Sequence, residues 1–187
     1  MIRFRELLLE NPVIAALRND KDLENVIKSK ALITFVLYGN LMNIGKICEK
    51  LKAANKIIFV HLDMIEGLKG DAAGIEYIKK FASPDGIITT KSSNIKYAKQ
   101  LGLATIQRIF IIDSLSLKTG IKNIHETGPS AVEVMPGIAS KIIHSIEKEI
   151  NIPIIAGGLI KTKKDVIDSL SVGALAISTT SEKLWNL

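Results

Sequence analysis

Short apolar runs alternate along the chain with longer stretches in which apolar residues recur every three or four positions. The runs are Pro12 to Leu17, Ala31 to Gly39, Ile57 to Asp63, Gly86 to Thr90, Ala104 to Asp113, Ala131 to Met135, Pro153 to Leu159 and Gly173 to Thr180. Most carry little polar alternation, which predicts strands buried on both faces, as in a parallel sheet under helices. Between them, helical spacing predicts Met1 to Glu10, Asp20 to Ser29 with Asp20 as N-cap, and Leu41 to Leu51. It further predicts Ala72 to Phe81, with Ile75, Ile78 and Phe81 inward, and a helix through Ile95, Ala98 and Leu101 closed by Gly102. Ser114 to Thr127 reads as helical in parts, loosened at Gly120, and Ile138 to Ile150 carries an apolar stripe. The last helix, Thr162 to Ser171, has Thr162 as N-cap and Asp165 at the capping-box position.

Eight strand-then-helix units in succession predict an α/β fold, and the count favours a compact (β/α)8 TIM-like barrel formed as one domain over residues 1–187. An open doubly wound sheet would place a glycine-rich loop after its first strand, and PVIAALRND contains no glycine. The last two strands end in chemistry. Gly157-Gly158 leaves the backbone open to a ligand, so a branched side chain at Gly158 is expected to obstruct it. Ser178, Thr179 and Thr180 supply hydroxyls before a short final helical segment ending in Trp185. In barrels of this kind, the loops after strands seven and eight form a phosphate cradle, and a phosphate site is expected there.

Composition narrows the remaining possibilities. Apolar residues make up 47% of the 187 and aromatics 5%, which suits a helix-covered parallel sheet. A net charge of +6 and pI of 9.3 admit an anionic partner, yet the lysines are scattered without interleaved aromatics. The lone Cys48, on the apolar side of a helix, excludes an internal disulfide and a cysteine-rich metal site. No apolar run reaches membrane-spanning length, and the leading LLL stops at Glu10-Asn11-Pro12, so a cytoplasmic protein without signal peptide is expected.

Polar residues interrupt the strands near their C-terminal ends, where barrels keep their functional groups. They are His61 and Asp63, of one parity on the third strand, Lys91 after the fourth, Gln107 and Arg108 on the fifth and Glu133 on the sixth. Arg108 and Lys91 suit an anionic ligand, whereas Asp63 and Glu133 either contact that ligand or neutralise the cations. The same set could fill the barrel as a salt-bridge layer. His61 fits an acid/base residue or a core histidine equally, and His125 and His144 fall on helix surfaces. The spacing admits a phosphosugar isomerase, aldolase or lyase as readily as a sensor of a phosphorylated metabolite.

Several stretches narrow this choice: HLDMIEGLKGDAAGIEYI (His61 to Ile78), DGIITTK (Asp85 to Lys91), TIQRIFIIDS (Thr105 to Ser114), VEVMPG (Val132 to Gly137), PIIAGGLI (Pro153 to Ile160) and GALAISTTSEKLW (Gly173 to Trp185). Together they resemble the glycerol-3-phosphate-responsive antiterminators, regulators of bacterial glycerol-uptake operons, almost end to end. The resemblance implies a barrel that binds sn-glycerol 3-phosphate, without cofactor, metal or catalysis. It also implies binding to the leader messenger RNA of a glycerol-catabolic operon, so that a terminator is bypassed. The strand-end residues expected to hold that ligand are Asp63, Lys91, Arg108, Glu133, Gly157, Gly158, Ser178, Thr179 and Thr180. Ligand is expected to order the loops after strands two and three, Gly39 to Asn43 and Met64 to Gly70, and a homodimer is expected to concentrate the dispersed basic charge.

Overall fold

Why the apolar runs lack alternation is visible once they pair. In the computed structural model, which describes residues 2–187 and side chains from Phe4 onward, eight parallel strands close into a ring and every strand has two neighbours. They are β1 (Val13–Leu17), β2 (Ile33–Val36), β3 (Ile57–His61), β4 (Gly86–Thr89), β5 (Ala104–Phe110), β6 (Ala131–Met135), β7 (Ile154–Gly157) and β8 (Ala176–Thr179). The seam between β8 and β1 pairs Ile14 with Ser178 and Ala15 with Thr179. The helices are α1 (Ile2–Glu10), α2 (Asp20–Ile27), α3 (Ile44–Ala53), α4 (Ala72–Phe81), α5 (Ser92–Gln100), α6 (Ser114–Thr127), α7 (Ser140–Glu149) and α8 (Lys163–Ser171). Single-turn 3-10 segments follow β3 (Leu62–Met64) and β8 (Glu182–Leu184).

Strand parity divides the apolar residues between two cores. One set, including Ile14, Ile33, Phe35, Phe59, Ile88, Ile106, Ile155 and Ala176, fills the barrel. The other, including Leu17, Val36, Ile58, Val60, Ile87, Val132, Val134 and Ile177, packs outward against helix residues such as Leu23, Ile47, Ile78, Ile95 and Ile146. Helix α1 closes the N-terminal end of the barrel: Leu8 is fully buried in the interior set, and the Phe4 ring lies 5.5 Å from that of Phe59. Cys48 is fully buried in the outer core, and burial pushes its thiol up to about 12, which leaves it an unreactive small apolar group.

Helix ends follow local hydrogen-bonding chemistry. Thr162 and Asp165 form the expected reciprocal capping box on α8, and Asp71 caps α4 by accepting from the Gly74 amide. The cap of α2 is Asn19, one residue ahead of the expected Asp20: Asn19 has extended backbone and accepts from the Asp22 amide, while Asp20 begins the helix. Helix α6 runs unbroken through Gly120, where a Cβ would stand 3.3 Å from Ile109 Cδ1; the glycine lets the helix lie close to β5. Phe81 is not inward. As the last residue of α4 it is 57% exposed, because six residues on from Ile75 it has drifted about 120° round the helix, and buried Ala82 takes the inward place. The loops after β2 and β3 are joined to each other: the Leu41 amide donates to the Glu66 carbonyl (3.2 Å) and the Glu66 amide to the Gly39 carbonyl (2.9 Å). They form one bridged unit at Asn40 and Glu66. Met1, at the start of the expected first helix, lies outside the described residues.

At Gly86 a Cβ would meet the Ala104 carbonyl oxygen and the Phe59 ring, each at 2.4 Å. The ring could shift, but the strand backbone cannot without breaking its ladder. Gly86→Ala is therefore expected to lower stability by about 3 kcal/mol or more in urea unfolding, at the upper end of overpacking costs. An unchanged midpoint would show that the β4–β5 pair yields.

Candidate functional site

The C-terminal mouth of the barrel holds a cavity of about 220 Å³, the size class of a small metabolite. Its floor is ionic. Arg108 on β5 and Glu133 on β6 are register partners, both facing inward, and the Arg108 Nε donates to Glu133 Oε2 at 2.6 Å. Glu133 is fully buried and its other oxygen, Oε1, accepts from Ser178 Oγ of β8 at 2.5 Å. β7 lies between these strands and must expose no side chain there. A Cβ on Gly157 would stand 2.5 Å from Glu133 Oε1 and 2.8 Å from Ser178 Oγ. The first glycine of the pair thus makes room for a carboxylate of β6 and a hydroxyl of β8 to meet over the strand between them.

The wall is backbone. Gly158 and Leu159 both have left-handed backbone, with φ of 79° and 63°, an arrangement that costs a non-glycine residue roughly 1–3 kcal/mol. Among the described residues, the amides of Gly158, Leu159, Ile160 and Thr180, all bordering the cavity, donate to no protein acceptor. The loop is held from below by Gly137, whose amide donates to the Gly157 carbonyl at 2.5 Å. A Cβ on Gly137 would stand within 2.7 to 2.9 Å of Gly157 and Ala156 backbone atoms, which accounts for the Pro136-Gly137 turn. On Gly158 a Cβ would meet Met135 Cε at 2.8 Å, so a side chain there would press on Met135 and strain the backbone as well as narrow the ligand's approach.

The three hydroxyls after β8 have different fates because strand residues alternate. Ser178 faces inward and serves Glu133. The Thr179 side chain turns the other way, donating to the Ile160 carbonyl at 2.7 Å and accepting from the Ser181 amide at 3.0 Å. It ties the seventh loop to the eighth, and its own carbonyl accepts from the Trp185 indole at 2.9 Å. Thr180 alone of the three has no protein partner for its hydroxyl among the described residues. Lys161, which sequence reading passed over, also borders the cavity, as do Ala16 and Leu37. The signal for Lys161 was its place just ahead of the α8 capping box, on the loop that follows the glycine pair.

Asp63 and Lys91 lie apart from this cavity. Asp63 sits in the 3-10 turn after β3, beyond the strand, so its expected common parity with His61 does not arise. Its carboxylate accepts from the Thr90 amide (2.8 Å) and from the Thr89 and Thr90 hydroxyls (3.1 and 3.0 Å). Lys91 caps the start of α5, with its Nζ 3.0 Å from the position of a Cβ on Gly70. No ion pair within 4.0 Å joins Lys91 to Asp63. The full four-residue salt-bridge layer is therefore reduced to the Arg108–Glu133 pair. His61 is 2% exposed, and neither ring nitrogen has a partner among the described residues. Burial, reinforced by the Arg108 charge and opposed by Asp63, lowers its pKa to about 4, so the ring is neutral at pH 7. His125 and His144 are exposed on helices, as expected.

A buried arginine beside a ring of unpaired amides at one barrel mouth can hold a small anion; it offers no free base. Comparison with known proteins places the chain in a family. Residues 13–185 match the family model for the glycerol-3-phosphate responsive antiterminators. The chain belongs to this family. A glycerol uptake operon antiterminator regulatory protein from Listeria monocytogenes superposes with a TM-score of 0.90 at 32% identity, covering 92% of this chain and 94% of that one. A related protein from Thermotoga maritima gives 0.84 at 33%, covering 94% and 98%. YgcP of Escherichia coli K12 is 37% identical over 181 residues, 97% of this chain and 95% of that protein. Deoxyribose phosphate aldolase from Aeropyrum pernix gives a TM-score of 0.71 at 12% identity, covering 95% of this chain and 88% of that one, a likeness of fold alone.

The neutral histidine has a consequence for acid stability. Its folded pKa of about 4 lies below the ordinary 6.5, so the unfolded chain binds the extra proton between those values. The associated stability is complete above about pH 6.5 and is lost progressively as pH falls towards 4, by about 3 kcal/mol in total. Denaturant titrations at pH 7 and pH 4.5 should show a smaller drop for His61→Leu than for the native chain. Equal drops would mean that His61 is not the group responsible.

Proposed function

We propose that the protein is a sensor of sn-glycerol 3-phosphate that binds the leader of a glycerol-catabolic transcript in the cytoplasm and lets transcription pass a terminator. Family membership supports both halves of this reading, and the mouth cavity supports the first. The phosphate fits against the amides of Gly158, Leu159, Ile160 and Thr180, with the Thr180 hydroxyl and the Arg108 guanidinium beside them. Lys161 adds positive charge from the rim. The observation that carries the reading is the commitment of Arg108: only its Nε serves Glu133, and no hydrogen bond among the described residues engages its terminal nitrogens. Those nitrogens are the fork by which arginine grips a phosphate.

The same geometry argues against a phosphosugar enzyme. A general base must be free to take a proton at a reacting atom. Glu133 is fully buried between Arg108 and Ser178, Asp63 is held by two threonines, and Lys91 stands outside the cavity. His61 is neutral but enclosed. The chain is accordingly a binding protein that leaves its ligand unchanged.

Glycerol 3-phosphate at millimolar concentration should raise the melting temperature of the native protein, and inorganic phosphate should do so less. Arg108→Lys, which keeps the charge but loses the fork, should weaken binding about tenfold or more, in line with 1.5–3 kcal/mol for a hydrogen bond to a charged group. Chromatography of the incubated ligand should return it intact. Steady consumption of glycerol 3-phosphate, or interconversion of the two triose phosphates, would overturn the non-catalytic reading, and an unshifted melting temperature would overturn the ligand.

A further inference from the structure

Phe81, which the apolar period assigns to the core, stands instead beside an open groove of about 480 Å³ between α3 and α4. The groove is lined by Leu41, Met42, Tyr77 and Phe81, with Lys46 and Lys52 of α3 along it and Glu49 as its one acidic residue. Met42 is 87% exposed. The Tyr77 and Phe81 rings pack with centroids 4.7 Å apart, and Lys80 Nζ lies 5.3 Å from the centre of the Phe81 ring. An exposed aromatic, braced by a second ring and bordered by a cation, is uncommon on a chain with so few aromatics. The two helices are brought close there by Gly45, where a Cβ would meet the Phe81 carbonyl oxygen at 2.9 Å.

We infer that this groove is the surface on which single-stranded RNA is bound, with a base stacked on Phe81 and its neighbouring phosphates beside Lys46, Lys52 and Lys80. The inference rests on the RNA-binding half of the function proposed above. Charge decides the occupant: three lysines against one glutamate suit a polyanion, and every base offers a face that an exposed ring can stack on. The groove also has a physical connection to the ligand site. Leu37 at the end of β2 borders the mouth cavity, and the same segment continues into Leu41 and Met42 of the groove. Leu41 is then clamped from two sides, its carbonyl accepting from the Tyr77 hydroxyl at 2.7 Å and its amide donating to Glu66 after β3. A ligand that repositions Leu37 therefore acts on the frame that holds Tyr77 under Phe81. If so, ligand and RNA each tighten the other's binding by the same factor.

The test uses fluorescence anisotropy with the labelled leader transcript of the source organism's glycerol-catabolic operon, with and without glycerol 3-phosphate at fixed salt. Phe81→Ala should weaken RNA binding about tenfold, Phe81→Trp should restore it, and neither should change the melting-temperature shift produced by glycerol 3-phosphate. The double variant Lys46→Glu, Lys52→Glu should flatten the dependence of log affinity on log salt by about two, one per phosphate contact removed. Native RNA affinity in all these variants, alongside a native protein that does bind, would overturn the groove and leave the function standing. A native protein that binds no leader RNA under either condition would overturn the RNA-binding reading and the groove with it.

Discussion

The ion pair between Arg108 and Glu133 is the constraint around which the mouth of the barrel is arranged. A carboxylate with no exposure survives inside a protein only when its charge is matched and its oxygens are bonded, and here each oxygen has one donor. Meeting that demand dictates the neighbours. β5 must deliver a cation in register with β6, β8 must deliver a hydroxyl from two strands along the ring, and β7 between them must deliver nothing. Gly157 has more to do with Glu133 than with any ligand. The pairing also lowers the net positive charge of the cavity, so that a bound anion would rely largely on backbone amides and the free fork of one guanidinium. Such a site is selective for geometry more than for charge alone.

The sequence carried the barrel because eight buried strands leave an unambiguous record: apolar runs without alternation, spaced by helices of regular period. It carried the Thr162–Asp165 box because capping is local chemistry, and the glycine pair because a strand end that leaves room for neighbouring side chains and then turns at positive φ favours glycine. Legibility failed where the answer lay in another part of the chain. Asp63 could not be distinguished from a strand residue until the turn after β3 was seen, and Thr179 reads like Thr180 until strand parity assigns their hydroxyls to different layers. Gly120 has the same propensity whether it loosens a helix or admits a strand beneath it. Phe81 follows Ile75 and Ile78 in steps of three, which drift round a helix of 3.6 residues per turn, so the small Ala82 and not the large ring falls on the buried stripe. Lys161 belongs to the site only because the loop after Leu159 folds back along the cavity.

The two ends of the barrel are built for different tasks. At the N-terminal end, α1 and the rings of Phe4, Phe35 and Phe59 form an apolar plug. At the opposite end, unpaired amides, a left-handed leucine and an unpartnered histidine are concentrated within a few residues of the strand tips. Each of these costs stability, and the closed, close-packed ring beneath them carries that cost.

The seam between β1 and β8 sets the order of events during synthesis. The Ile177 amide donates to the Pro12 carbonyl, and Ala16 of the first strand borders the same cavity as Thr180 of the last loop. While the ribosome is still extending the chain, the first strand has an open edge and the mouth cavity does not exist. Joining residues so far apart is slow, and an unpaired edge is a hazard while it lasts. Because that cavity spans the seam, any molecule that filled it would act as a latch on newly made chains, favouring those whose ring has closed.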